Sequence, residues 1–196
     1  MYKKQLGFQK LICYLGVIAA ALWFVYSLGM ITDIYEALSP AIRDPSKLDK
    51  VRVPGAALYY EMQPFNSNLT YAGIAMILIS CLLFVTNTHT RRRYYIANFF
   101  SVGVYSAASV ALYVWAHQNL AFYTDKFLTT VDFEKLAKYA ETMQYEYTTS
   151  TWLLDAHNYL GIFSIVVSIG LIANLIWKVA LMRGERKLIE AGKEVA

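Results

Sequence analysis

Three histidines, one carboxylate and a run of three arginines are the residues here whose types and spacing could do chemistry. His117 and His157 close one long apolar segment and open the next at the same boundary, and Asp155 precedes His157 by two residues. Imidazole and carboxylate are reasonable zinc ligands, so a metal site at His117, Asp155 and His157 is geometrically open. The same residues can instead satisfy helix ends at an interface. That simpler role is the expectation, with no metal and no cofactor. His89 lies beside Arg91, Arg92 and Arg93, at the other end of the apolar segments, and cannot join the pair. His117 and His157 lie on separate elements at the boundary, and nothing in the sequence sets two histidines facing each other within the bundle, which disfavours a haem.

The arginines sit in 86–95, Thr-Asn-Thr-His-Thr-Arg-Arg-Arg-Tyr-Tyr, a short connection between two uncharged segments. Such a triplet marks a loop on the cytoplasmic side of a membrane. There it meets anionic lipid headgroups, at about 1 kcal/mol per basic residue. An acidic surface on a cytoplasmic subunit is the alternative partner.

The elements that position these residues are legible in the hydropathy. Of 196 residues, 57% are hydrophobic and 16% charged, against about 25% charged in soluble domains. A crossing needs about 20 apolar residues. Four windows qualify, at about 11–32, 71–87, 95–116 and 159–182, and only Lys178 carries a charge, near enough to an end to snorkel. Eleven basic residues and three acidic ones fall in the N-terminus, the 88–94 loop and the tail; the remainder holds seven basic and eleven acidic. The positive-inside rule then puts both termini in the cytoplasm and the 33–70 and 117–158 loops outside. The expected fold is a single all-α integral membrane domain of four transmembrane helices with two structured extracytoplasmic loops.

All four prolines, Pro40, Pro45, Pro54 and Pro64, lie in the first outer loop. They argue against a long helix there and for turns and extended pieces, with 51–55 a short strand ending in a turn. An aromatic ridge with Tyr59, Tyr60 and Phe65 leads back to the membrane, and Asn68-Leu-Thr70 is a chance match to a glycosylation acceptor. In the second loop Phe133, Leu136, Ala137, Ala140, Met143 and Tyr147 recur at helical steps. They predict an amphipathic helix near 133–147, capped by Thr129 or Thr130 with Asp132 and Glu134 in its first turn. The carboxylate pairs Glu141 with Glu146 and Asp132 with Glu134 read as its solvated face.

Catalysis has no visible constellation. Neither a phosphate-binding Gly-Lys-Ser/Thr loop, a His-Glu-x-x-His nor a Gly-x-Ser-x-Gly occurs. No Asp, Glu or His stands at mid-membrane depth, which disfavours a proton-coupled carrier. Cys13 and Cys81 fall in apolar segments and read as buried small hydrophobes. The intramembrane polar residues Asn98, Ser101, Ser106 and Ser109 belong to helix contacts. Gly103, Ala107 and Ala111 recur every four residues, as small residues do at close helix crossings, and Ser164, Ser168, Gly170 and Asn174 offer a comparable surface. These are helix-docking candidates, either within the chain or against another membrane protein.

The Cys-Cys-Gly motif of tetraspanins and the Trp with paired cysteines of claudins are both missing from the outer loops. Through Met1-Tyr-Lys-Lys-Gln-Leu-Gly-Phe-Gln-Lys, Thr86-Asn-Thr-His-Thr-Arg-Arg-Arg-Tyr-Tyr and Leu128-Thr-Thr-Val-Asp-Phe, the chain resembles small bacterial four-helix membrane proteins that look like companions of carbohydrate ABC importers. That resemblance implies a non-enzymatic accessory or scaffold subunit in the plasma membrane. Its partners would be the lipid bilayer and other integral membrane subunits such as ABC permeases, not nucleic acid. The alternatives are an extracytoplasmic ligand-binding module built on Tyr59, Tyr60, Phe65 and the 133–147 helix, or a small membrane enzyme or transporter.

Overall fold

The computed structural model describes residues 2–42, 53–88, 96–143 and 147–192. Those residues form five helices and no strand: α1 (Tyr2–Ile42), α2 (Leu58–Asn87), α3 (Ile96–Thr130), α4 (Phe133–Met143) and α5 (Trp152–Glu190). Four of them, all but α4, are long and apolar enough to cross a membrane. They suit a lipid bilayer environment, because apolar side chains run all the way round them. Leu78, Phe100, Val166 and Ile176 face outward while Gln5, Gln9, Asn87 and Asn174 face inward. A water-soluble protein arranges these types the other way.

Each long helix overruns its apolar window. At 1.5 Å per residue the shortest, the 30-residue α2, is about 45 Å long, against a hydrocarbon core of about 30 Å. The extra turns come from segments that read as loop. Leu58–Thr70 belongs to α2 despite Pro64, which corrects the expectation that prolines would break it. Pro64 stands in the second turn and removes one donor. Close to that defect, the Tyr123 hydroxyl donates to the Glu61 carbonyl at 3.3 Å. Of the short strand and closing turn expected over 51–55, the turn is present at Pro54 and Gly55, Val53 is a bend and not strand, and Val51 and Arg52 lie outside the described residues.

The chain divides into two compact units. One comprises Met1–Leu22, Ile74–Ala111 and Gly161–Ala196. In it α1 and α3 approach closely at Gly16, whose carbonyl accepts the buried Tyr105 hydroxyl at 3.1 Å. A Cβ on Gly16 would stand 3.3 Å from Leu83. Cys13 is buried in this unit, but Cys81 is exposed on α2, contrary to expectation. Lys178 is 3% exposed, so it is packed inside the unit where snorkelling was expected.

The other unit comprises Trp23–Gly73 and Leu112–Leu160. Its core holds Trp23, Tyr26, Met30, Leu58, Leu69, Leu120, Phe127 and Leu136. Two connections between helices are joined here, since the Asp132 amide donates to the Pro54 carbonyl at 3.1 Å. Gly55 makes that approach possible: its φ is +80°, and a Cβ would lie 2.7 Å from the Val131 Cα. The amphipathic α4 forms over Phe133–Met143, with Leu136 and Ala140 buried and Lys135, Lys138 and Glu141 exposed; Tyr147, expected at the end of its apolar face, lies beyond the helix and is exposed. Its cap is Asp132, whose carboxylate accepts the Lys135 amide at 3.0 Å. Thr129 and Thr130 instead end α3, where their hydroxyls donate back to the carbonyls of Asp125 and Lys126.

Candidate functional site

The unit of 23–73 and 112–160 brings His117 and His157 into direct contact. His117 ends the apolar part of α3, and His157 lies in the second turn of α5. His157 is buried, and its Nδ1 stands 2.6 Å from the Leu154 carbonyl oxygen. A carbonyl only accepts, so Nδ1 carries the proton and Nε2 is left with a lone pair. That lone pair faces Nδ1 of His117 at 3.1 Å. His117 Nδ1 is also 3.2 Å from Oδ1 of Asn158, and the Tyr113 hydroxyl donates to the same oxygen at 3.4 Å. The ring centroids of the two histidines are 5.3 Å apart. One proton on His117 Nδ1, shared between His157 and Asn158, satisfies every contact and leaves His117 Nε2 facing the exposed side.

Asp155, the carboxylate that sequence spacing offers as a third ligand, does not join the pair. Two residues from His157 on a helix, it points to another face and accepts the Thr151 hydroxyl at 2.9 Å. Among the described residues no three His, Cys, Asp or Glu side chains are grouped to hold a metal. Asn158, which sequence reasoning passed over, takes the third place. Its signal was adjacency to His157, but an amide is a common surface residue and carries little weight alone.

In the unit of 1–22, 74–111 and 161–196 a chain of amides links all four long helices. Gln5 donates to Gln9 at 2.8 Å and to Asn174 at 2.9 Å, and Gln9 donates to the Asn87 carbonyl. Asn87 in turn donates to Ser101 at 2.9 Å and accepts from Asn98 at 3.0 Å. Gln5 and Gln9 precede the apolar window that begins at residue 11; their i, i+4 spacing was the signal that they share a face. Most members are uncharged donor–acceptor amides, which suits helix-to-helix attachment in an apolar medium.

The two sets of helix-docking candidates part company. Ser164, Ser168 and Asn174 are buried within the unit, and a Cβ on Gly170 would stand 2.6 Å from Ile12. Gly103, Ala107 and Ala111 are exposed, and a Cβ on Gly103 would meet nothing within 4 Å. Phe99, one step earlier in the same series, lines an open groove with Ile172, Ile176, Val179, Arg183 and Lys187 of α5. Arg91, Arg92, Arg93 and His89 lie outside the described residues.

The aromatic ridge also divides. Phe65 is 5% exposed and packs between Trp115 and Tyr123, with ring centroids at 5.1 and 5.5 Å. Tyr59 and Tyr60 stack edge to face at 5.1 Å and are half-buried. Tyr59 lines a cavity of about 60 Å³ with Met30, Met62, Asn66 and Ser67. The Oδ1 of Asn66 is itself buried away from that space, without a hydrogen-bond partner. Asn68 and Thr70, the chance glycosylation match, are turns of α2.

Comparison with known proteins finds no matching family model, no matching curated protein and no matching solved structure.

Proposed function

We propose that the chain is a non-enzymatic accessory subunit of the plasma membrane that docks another integral membrane protein, with a carbohydrate ABC importer as the complex it serves. The docking rests on one observation: Phe99, Gly103, Ala107 and Ala111 form an exposed series at four-residue steps on α3. Small residues let two helix backbones approach closely in lipid, where packing and not the hydrophobic effect drives association. The groove continuing from Phe99 along α5 ends at Arg183 and Lys187. A partner helix with an acidic or anionic-lipid-coated end complements it. Both termini are cytoplasmic in this reading, which follows from the basic residues alone. The importer enters through the resemblance carried by residues 1–10, 86–95 and 128–133.

The test is a photo-crosslinking residue at position 107, with the native-host complex purified in mild detergent. Crosslinks to a permease, lost together with co-purification in Ala107→Phe, are the expected result. A lone monomer that yields no adduct and is unchanged by the substitution would overturn the docking.

A second reading has its own observation, the cavity that Tyr59 lines with Met30, Met62, Asn66 and Ser67. It makes this stretch an extracytoplasmic binding module for a small ligand. The space holds roughly four or five waters, at about 10–15 Å³ each, which is less than a sugar ring fills. Unchanged ligand uptake after Tyr59→Ala and Tyr60→Ala would sink it.

A further inference from the structure

We propose that His117 Nδ1, His157 Nε2 and Asn158 Oδ1 form a binding site for a divalent transition metal, with Zn²⁺ as the fitting ion. The proposal is independent of the docking surface on α3.

Three features carry it. First, the lone pair of the buried His157 is set by the backbone: Leu154 holds the proton on Nδ1 at 2.6 Å. A ring fixed through its second nitrogen by a carbonyl is the arrangement metal-bound histidines use, because it chooses the tautomer and the ring orientation together. Second, two of the ligand atoms already stand close to the third. His117 Nδ1 lies 3.1 Å from His157 Nε2 and 3.2 Å from Asn158 Oδ1. With Zn–N bonds of about 2.0–2.1 Å, two nitrogens of a tetrahedral site stand about 3.3 Å apart. An opening of a few tenths of an ångström, supplied by the exposed His117 ring, admits the ion. Third, the shared proton has somewhere to go. It leaves Nδ1 of His117 while another is taken up from water at the outward-facing Nε2, so the ring stays neutral and no net proton is released.

The ligand set defines the class of ion. Two imidazoles and an amide oxygen suit zinc, copper or nickel, whereas calcium and magnesium demand more oxygens. The remaining positions are open on the exposed side of His117 for water or an incoming group. Bound metal replaces a hydrogen bond between α3 and α5 by coordinate bonds, and so clamps these two helices at that point of the unit.

The experiment uses the full chain in mild detergent, carried on an affinity tag without histidine and stripped by chelator. Zn²⁺ is titrated calorimetrically, and Co²⁺ serves as the optical probe. The expected result is one saturable Zn²⁺ per chain and a four-coordinate Co²⁺ spectrum. H117A, at an exposed position that preserves the fold, weakens binding at least about tenfold. N158A alters the Co²⁺ spectrum, and H89A, which removes the remaining histidine, changes neither. Absence of saturable Zn²⁺ uptake by the unaltered chain would overturn the site, as would H117A binding Zn²⁺ equally well. In either case the pair is a hydrogen-bonded pin between two helices.

Discussion

At the scale of single residues, the most constrained positions are set by backbone approach and not by side-chain chemistry. Gly55 combines φ +80° with a neighbouring backbone that a Cβ would reach at 2.7 Å. Gly55→Ala is therefore expected to cost on the order of 1–3 kcal/mol, read by equilibrium unfolding in detergent. Phe65 shows the complementary case. It is gripped between Trp115 and Tyr123, so Phe65→Ala should cost about 3–5 kcal/mol. Leu78 is just as apolar but 67% exposed, and Leu78→Ala is expected to stay within about 0.5 kcal/mol. Hydropathy alone ranks these two positions alike; the unfolding midpoints separate them.

At the scale of helices, two attachments invite measurement. Asn87 on α2 and Asn98 on α3 are joined at 3.0 Å inside an apolar unit. A double-mutant cycle with Asn87→Ala and Asn98→Ala should return a coupling of about 0.6–1.7 kcal/mol, the range seen for hydrogen bonds between transmembrane helices. A value near zero would mean that water or other amides replace the contact. The second attachment is the cap of α4. The amide and side chain of Lys135, hydrogen-bonded to Asp132, hold its carboxyl below the usual range. A carboxyl whose folded value is depressed stabilises the fold above its unfolded value, about 3.9, and that contribution is lost as pH falls through the folded value. The protection of α4 amides, relative to their intrinsic exchange at each pH, should fall below about pH 4. Asp132→Asn should show faster exchange already at neutral pH and remove the acid-dependent step.

At the scale of the whole molecule, the charge bias predicts sidedness. Fluorescent-protein and alkaline-phosphatase fusions read it directly. A cytoplasmic C-terminus gives a fluorescent fusion after Ala196 and an active phosphatase fusion within 144–146, between α4 and α5. The reverse pattern would invert the assignment. Replacing Arg91, Arg92 and Arg93 by alanine should yield mixed orientations, because those three carry much of the charge bias in a short loop. Glu61 and Lys126 make an ion pair at half-exposed positions. Such pairs are worth about 0–1 kcal/mol, so their removal should leave orientation and stability nearly unchanged.

The amino-acid sequence by itself determined the four helices long and apolar enough to cross a membrane and the amphipathic α4. Runs of uncharged residues and a 3.6-residue period are local properties, and each element's residues carry them without reference to any other. Helix ends escaped it because Leu58–Thr70 and Gln118–Thr130 are polar enough to be loop and become helical only by packing on one another. The faces escaped it for a related reason. Gly103 and Gly170 have the same composition and spacing signals, yet one is open and the other is pressed against Ile12. In a helix that is apolar all round, no hydrophobic period says which side turns inward. Only tertiary packing decided that, and with it the contact between His117 and His157, whose partner proved to be Asn158 and not Asp155.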